Sequence, residues 1–94
     1  GMEIREVVTH EELLRRAEAI KAMSASEPFK WLIDAARREC YREWEIAKTP
    51  GESEAARAHL IGVQSIEKQV QKIIDAGVRA AHAMEQEAKK RAKE

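Results

Sequence analysis

Three histidines and one cysteine, His10, His59, His82 and Cys40, carry the side chains best suited to bind a metal ion or act as a nucleophile. The histidines are far apart in the sequence. None forms a His-x-x-x-His or Glu-x-x-His pair, which would place two ligands on one helix face. The sequence therefore predicts no metal site and no other cofactor.

Cys40 falls on the predicted apolar stripe of a helix, where free cysteine behaves as a small hydrophobic residue and burial lowers its reactivity. The carboxylates near it alternate with arginines, as on a solvated face with local ion pairs. A thin helical protein offers no pocket for acid–base chemistry, so we expect no enzymatic activity. A weaker hypothesis is a small enzyme or metal protein that uses histidines at a subunit interface.

The composition favours helices with one apolar face. Of 94 residues, 44% are hydrophobic and 36% are charged, and basic and acidic residues number 17 each. Equal charge totals give no overall attraction to nucleic acid or anionic lipid. No apolar run approaches the roughly 20 residues that span a bilayer, and no secretion signal is recognisable. With a single cysteine, these features predict a cytoplasmic protein without membrane contact.

Two helices are expected in the N-terminal half, after an extended arm over residues 1–8. Helix 1 covers residues 9–24, beginning at a Thr9–Glu12 capping box. Helix 2 covers residues 27–48, and its predicted core stripe comprises Phe29, Leu32, Ile33, Ala36, Cys40, Trp44 and Ala47. A second apolar face lies opposite that stripe, at Trp31, Ala35 and Ile46.

Helix 3 is expected over residues 50–91, capped by Thr49 and Glu52. Its apolar residues follow a heptad repeat: Ala56, Val63, Ile66, Val70, Ile73, Gly77, Ala80 and Met84. Gly62 and Gly77 each cost about 1 kcal/mol relative to Ala in a helix, and both could permit close helix packing. Gly77 could instead end helix 3, although a continuous helix is the favoured interpretation.

The short turn between helices 2 and 3 predicts a single all-α domain, residues 1–94, built on an antiparallel helical hairpin. Helix 3 is too long for helix 2 to cover. Either helix 1 folds back over the excess beyond Gly77, or another chain or water meets it. Trp31 has two interpretations, packing beneath helix 1 or forming an intermolecular contact.

Three short segments resemble small helical-hairpin proteins of tailed bacteriophages and prophages. They are the Ser-Glu-Pro-Phe-Lys-Trp-Leu run from Ser26, the Thr-Pro-Gly-Glu turn and the Leu-Ile-Gly-Val stretch from Leu60. The resemblance spans roughly residues 24 to 80 and leaves out the N-terminal arm and helix 1. It implies a phage-related assembly or accessory role and supplies no catalytic residues.

The sequence therefore predicts a self-associating, non-enzymatic protein that forms a helical bundle and contacts phage structural or assembly proteins. Its predicted oligomer interface comprises Trp31, Ile46, Val63, Ile66, Val70, Ile73 and Ile74. The alternative is a nucleic-acid-binding accessory protein. Its contacts would come from the basic C-terminal cluster, which comprises Lys89, Lys90, Arg91 and Lys93.

Overall fold

The computed structural model describes residues 7–93, and over that range it contains three α-helices and no strand. They are α1 (His10–Ala25), α2 (Glu27–Ile46) and α3 (Pro50–Ala92). The predicted all-α fold, with a short first helix and a long last helix, is confirmed. Most of the predicted N-terminal arm lies outside the described residues, and Val7 and Val8 precede α1 without regular structure.

Each helix begins at a hydroxyl side chain that accepts a hydrogen bond from a backbone N–H group of the first turn. The backbone N–H of Glu12 donates to Thr9 Oγ1 at 3.2 Å, and that of Glu52 donates to Thr49 Oγ1 at 3.1 Å. At the junction of α1 and α2, the N–H of Phe29 donates to Ser26 Oγ at 3.4 Å. Ser26 Oγ also donates to the Met23 carbonyl at 2.6 Å. A single serine therefore ends α1 and begins α2.

The two predicted capping boxes form only in part, because both glutamates have other partners. Glu12 binds the guanidinium groups of Arg15 and Arg16. The carboxylate of Glu52 accepts from the backbone N–H of Lys48 at 3.2 Å. At the starts of α1 and α3, the threonine hydroxyl is therefore the side chain that caps the first turn.

Helices α1 and α2 both run antiparallel to α3 and cover different halves of it. Along α2, Arg37 pairs with Glu67 and Glu43 pairs with His59. Along α1, the side chain of His10 lies 3.8 Å from that of Glu87. The helices α1 and α2 pack mainly on α3 and only slightly on each other. The part of α3 from Gly77 to about Glu87 therefore packs against α1 of the same chain, and the exposed last turn extends past it.

The α1–α3 contact depends on Gly77, which lies in the interior of a continuous 43-residue helix. A Cβ atom at this position would overlap the methyl group of Ala17 and lie 3.5 Å from the Leu13 carbonyl oxygen. Gly77 therefore permits close helix approach and does not end α3. Gly62 behaves differently, since a Cβ there would meet no atom within 4 Å beyond the backbone of its own helix. Among residues 7–93, no other helix packs closely against Gly62.

The core is thin and made of small side chains. Its buried hydrophobic residues are Ala17, Cys40, Ala56 and Ala80, and no large side chain of the described residues is fully buried. The molecule measures 69 × 40 × 16 Å, and its radius of gyration is 19.4 Å. A compact chain of this length has a radius of gyration of about 12 Å. The subunit is therefore elongated and flat.

Two details of the predicted second helix differ from the structure. Leu32 and Trp44, both expected in its core stripe, are 64% and 51% exposed. Small Cys40 is the buried residue of α2, and the contact around it is too narrow to reach them. The helix ends at Ile46, two residues early, because Thr49 is extended before Pro50 and caps α3.

Candidate functional site

The three histidines are separated along the molecule. His59 Nδ1 lies 2.7 Å from the Glu43 carboxylate, where the pair joins α3 to α2. His10 lies near Glu87 at the other end of α3, and His82 is exposed between them. Among residues 7–93, no group of three or more His, Cys, Asp or Glu side chains is placed to hold a metal ion. The two paired histidines act as links between helices.

Two ion-pair groups have shifted pKa values. Hydrogen bonds from Arg15 and then Arg16 hold the pKa of Glu12 below its usual 4.5. A hydrogen bond to Glu67 raises the pKa of Arg37, and the attraction between their charges adds to this shift. The Arg37–Glu67 pair stabilises the α2–α3 contact, whereas the Glu12 cluster lies within α1.

Cys40 is buried, with 6% of its surface exposed, as expected for a cysteine on the core stripe. Several concave surfaces are grooves between helices. One of them lies between α1 and α3 and is lined by apolar side chains that include Leu14, Ile74 and Val78. This groove offers apolar contact area for another helix.

Large apolar side chains are exposed on both α2 and α3. Among the predicted interface residues, Trp31 is 67% exposed, Ile46 is 62% exposed and Ile66 is 53% exposed. The other four are half-buried: Val63, Val70, Ile73 and Ile74. Trp31 is not covered by α1, so the structure excludes the interpretation in which it packs beneath helix 1.

Five further large apolar residues of α2 and α3 are exposed, although they were not predicted to lie in the interface. They are Leu32, Tyr41, Trp44, Ile61 and Val78, each at least 51% exposed. Helical periodicity places Leu32 and Trp44 near the core side of α2, so it does not indicate that they are exposed. Ile61 lies outside the α3 heptad, and this position could have identified it as an exposed residue.

The total solvent-accessible surface of the chain is 7876 Å², which shows how much of its surface folding leaves unburied. A compact monomer of 10.7 kDa exposes about 5,500 Å². A stable protein–protein interface buries about 1,200 to 2,000 Å² in total. The chain therefore has enough excess surface to form one.

The basic cluster lies on the last turns of α3 and beyond. Lys89, Lys90, Arg91 and Lys93 are all exposed. Lys89 Nζ lies 3.3 Å from the Glu85 carboxylate, so part of this charge is balanced within the helix. The other cations complement the negative end of the helix dipole.

Within the described residues, no helix combines the length and the apolar content needed to cross a bilayer.

Comparisons of the chain with protein-family models, curated proteins and solved structures find no match.

Proposed function

We propose that this chain is a non-enzymatic helical protein whose subunits associate into a helical bundle. The observation that carries the proposal is the absence of any fully buried large side chain in the described residues, together with ten large hydrophobic residues that are exposed. A contiguous apolar surface on a protein is commonly a site of association. Association would cover side chains that a lone subunit leaves in water.

Two surfaces are available for this association. The first is on α3, where Ile66 is exposed. The second is the outer face of α2. Trp31 lies on the side of α2 opposite buried Cys40, so it points away from α3. Tryptophan is enriched at protein interfaces, because it contributes a large apolar area. Two separate surfaces on each subunit favour a bundle built from several hairpins.

The solution mass tests this function. Light scattering coupled to size exclusion should show a species larger than 10.7 kDa at tens of micromolar. The oligomer should dissociate on dilution, because association depends on concentration. A monomer at that concentration would contradict the proposal.

The proposed biological setting is the cytoplasm, in an assembly or accessory role related to tailed phages or prophages. Support comes from the sequence resemblance around Ser26, the Thr49 turn and Leu60. Phage structural or assembly proteins would be the external partners. Neighbouring genes that encode capsid or tail proteins would strengthen this assignment, and their absence would weaken it.

The second candidate is a nucleic-acid-binding accessory protein. The exposed basic cluster favours it, since oligomerisation would bring several copies together and multiply the phosphate contacts. Retardation of DNA that weakens with salt, and is lost when residues 89–94 are deleted, would support this candidate. No retardation at low salt would dismiss it.

A further inference from the structure

One side of α3 carries no helix of its own chain around Gly62 and Ile66, which are both exposed. Ala55 and Ile73 lie on the same side, and all four residues fall within about 40° of one another at 100° per residue. Ala55 is exposed beside Ile46 of α2, and half-buried Ile73 lines a groove with Leu13 of α1. The helix α2 packs on the adjacent side, where Ala56 is buried. We call these four residues the α3 face.

Gly62 is unexplained by any contact within the subunit. A glycine in a helix interior costs about 1 kcal/mol relative to alanine. At Gly77 this cost is offset by close packing against Ala17. At Gly62, a Cβ would meet no neighbouring atom within 4 Å beyond the backbone of its own helix. Close packing by a helix from outside the subunit would offset the same cost there.

We infer that the α3 face is the interface between two copies of this chain, paired antiparallel about a two-fold axis near residue 64. This inference rests on the proposed self-association and specifies where it occurs. An axis at residue 64 places Ile66 of each copy over Gly62 of the other. It also places Ala55 of each copy opposite Ile73 of the other. Each large side chain thus meets a small residue, as interdigitated helix packing requires.

Charge complementarity supports the antiparallel arrangement. At one end of the α3 face, Glu43 and Glu52 line a concave surface with Ile46 and Ala55. At the other end, Lys72 and Arg16 of α1 line a groove with Ile73. An antiparallel pairing brings the acidic end of each copy against the basic end of the other. A parallel pairing would place like charges together, which is unfavourable.

The available area fits a second copy as the occupant. A standard interface buries about 800 Å² on each partner. The subunit exposes about 2,400 Å² more than a compact monomer of its mass. The formal net charge of +0 imposes no overall repulsion between identical chains. One two-fold contact therefore covers part of the excess and leaves the Trp31 surface available.

The test compares two charge substitutions at equally exposed isoleucines of α3. Ile66 and Ile61 are both 53% exposed, and they lie about 140° apart around the helix. Ile66→Glu should raise the dissociation constant of the dimer by about 100-fold or more, because symmetry places two carboxylates in the interface. The Ile61→Glu variant should have the same oligomeric mass in solution as the wild type. Circular dichroism checks that both variants keep their helices.

A second variant guards against a folding defect in Ile66→Glu. Gly62→Leu adds a side chain where the subunit has open space, so it should keep the fold and gain helix propensity. It should still weaken the dimer, since the leucine would occupy the space of the other copy's Ile66. Suppose that the wild type is oligomeric and that both Gly62→Leu and Ile66→Glu keep its solution mass. The α3 face would then be refuted as the interface, but self-association of the chain would still hold. A monomeric wild type would refute both.

Discussion

Gly77 on α3 packs against Ala17 on α1 so closely that a methyl group on the glycine would overlap that of Ala17. Gly77→Ala should therefore lower the free energy of unfolding by about 1 to 2 kcal/mol, because overpacking outweighs the gain in helix propensity. Urea denaturation followed by circular dichroism measures the change.

Gly62→Ala is the matched control for Gly77→Ala. It should raise the free energy of unfolding by about 0.5 to 1 kcal/mol, because the new methyl group meets nothing within the subunit. Both variants are compared with the wild type at a protein concentration low enough for all three to be monomeric. Equal effects of the two alanines would contradict the proposed role of Gly77.

The side chain of Ser26 should contribute more to the free energy of unfolding than that of the nearby Ser24. Ser26 Oγ contacts the backbone of both α1 and α2, whereas Ser24 Oγ donates to the Lys21 carbonyl of its own helix at 3.2 Å. Ser26→Ala should lower the free energy of unfolding by about 1 kcal/mol, the usual effect of losing an N-cap. Ser24→Ala should change it by less than about 0.5 kcal/mol. Thermal and urea unfolding of both variants would show whether the junction depends on this hydroxyl.

The pKa of Glu12 should lie below 4.5, because the arginines stabilise its carboxylate in the folded state. A depressed folded pKa contributes stability that is present above the unfolded pKa and is lost as the pH falls through the folded pKa. Replacing Arg15 and Arg16 with glutamine should return the pKa of Glu12 to near 4.5 and remove this contribution. An NMR titration of the Glu12 carboxyl carbon measures the pKa directly. An unchanged pKa in the double variant would show that the arginines are not its cause.

Trp31→Ala should weaken assembly without weakening the monomer. Trp31 is 67% exposed, and alanine is the better helix former, so the isolated subunit has little to lose. The melting temperature should fall only at concentrations where the wild type is oligomeric. Ile61→Ala, at a residue 53% exposed on α3 and outside the proposed contacts, serves as the control and should have a smaller effect. Unchanged assembly and melting would remove Trp31 from the interface.

The helices and their boundaries were largely predictable from sequence because they depend on local chemistry. Thr9 and Thr49 cap α1 and α3 as predicted. Gly77 was favoured as part of a continuous helix, but a glycine after Asp75 and Ala76 is also compatible with a helix end. Its role depends on Ala17, which is 60 positions earlier in the sequence. No local pattern reveals that pairing.

Burial was harder to predict than helicity. Periodicity placed Leu32 and Trp44 on the core side of α2, but it does not give the width of the contact with α3. That contact is made through small residues such as Cys40 and Ala56, so large neighbours stay at its edges. The sequence placed Ile66 and Ile73 in the predicted interface and allowed close helix packing at Gly62. It could not show that the space beside Gly62 is left open by the other helices of the subunit.

The helices α1 and α2 share α3 as their common support and hardly touch each other. Detaching α1 would uncover the C-terminal half of α3 while leaving the Arg37–Glu67 and Glu43–His59 links intact. We therefore expect each of the two helix pairs, α1–α3 and α2–α3, to open without the other. Amide hydrogen exchange should then follow two separate opening free energies, one for each half of α3.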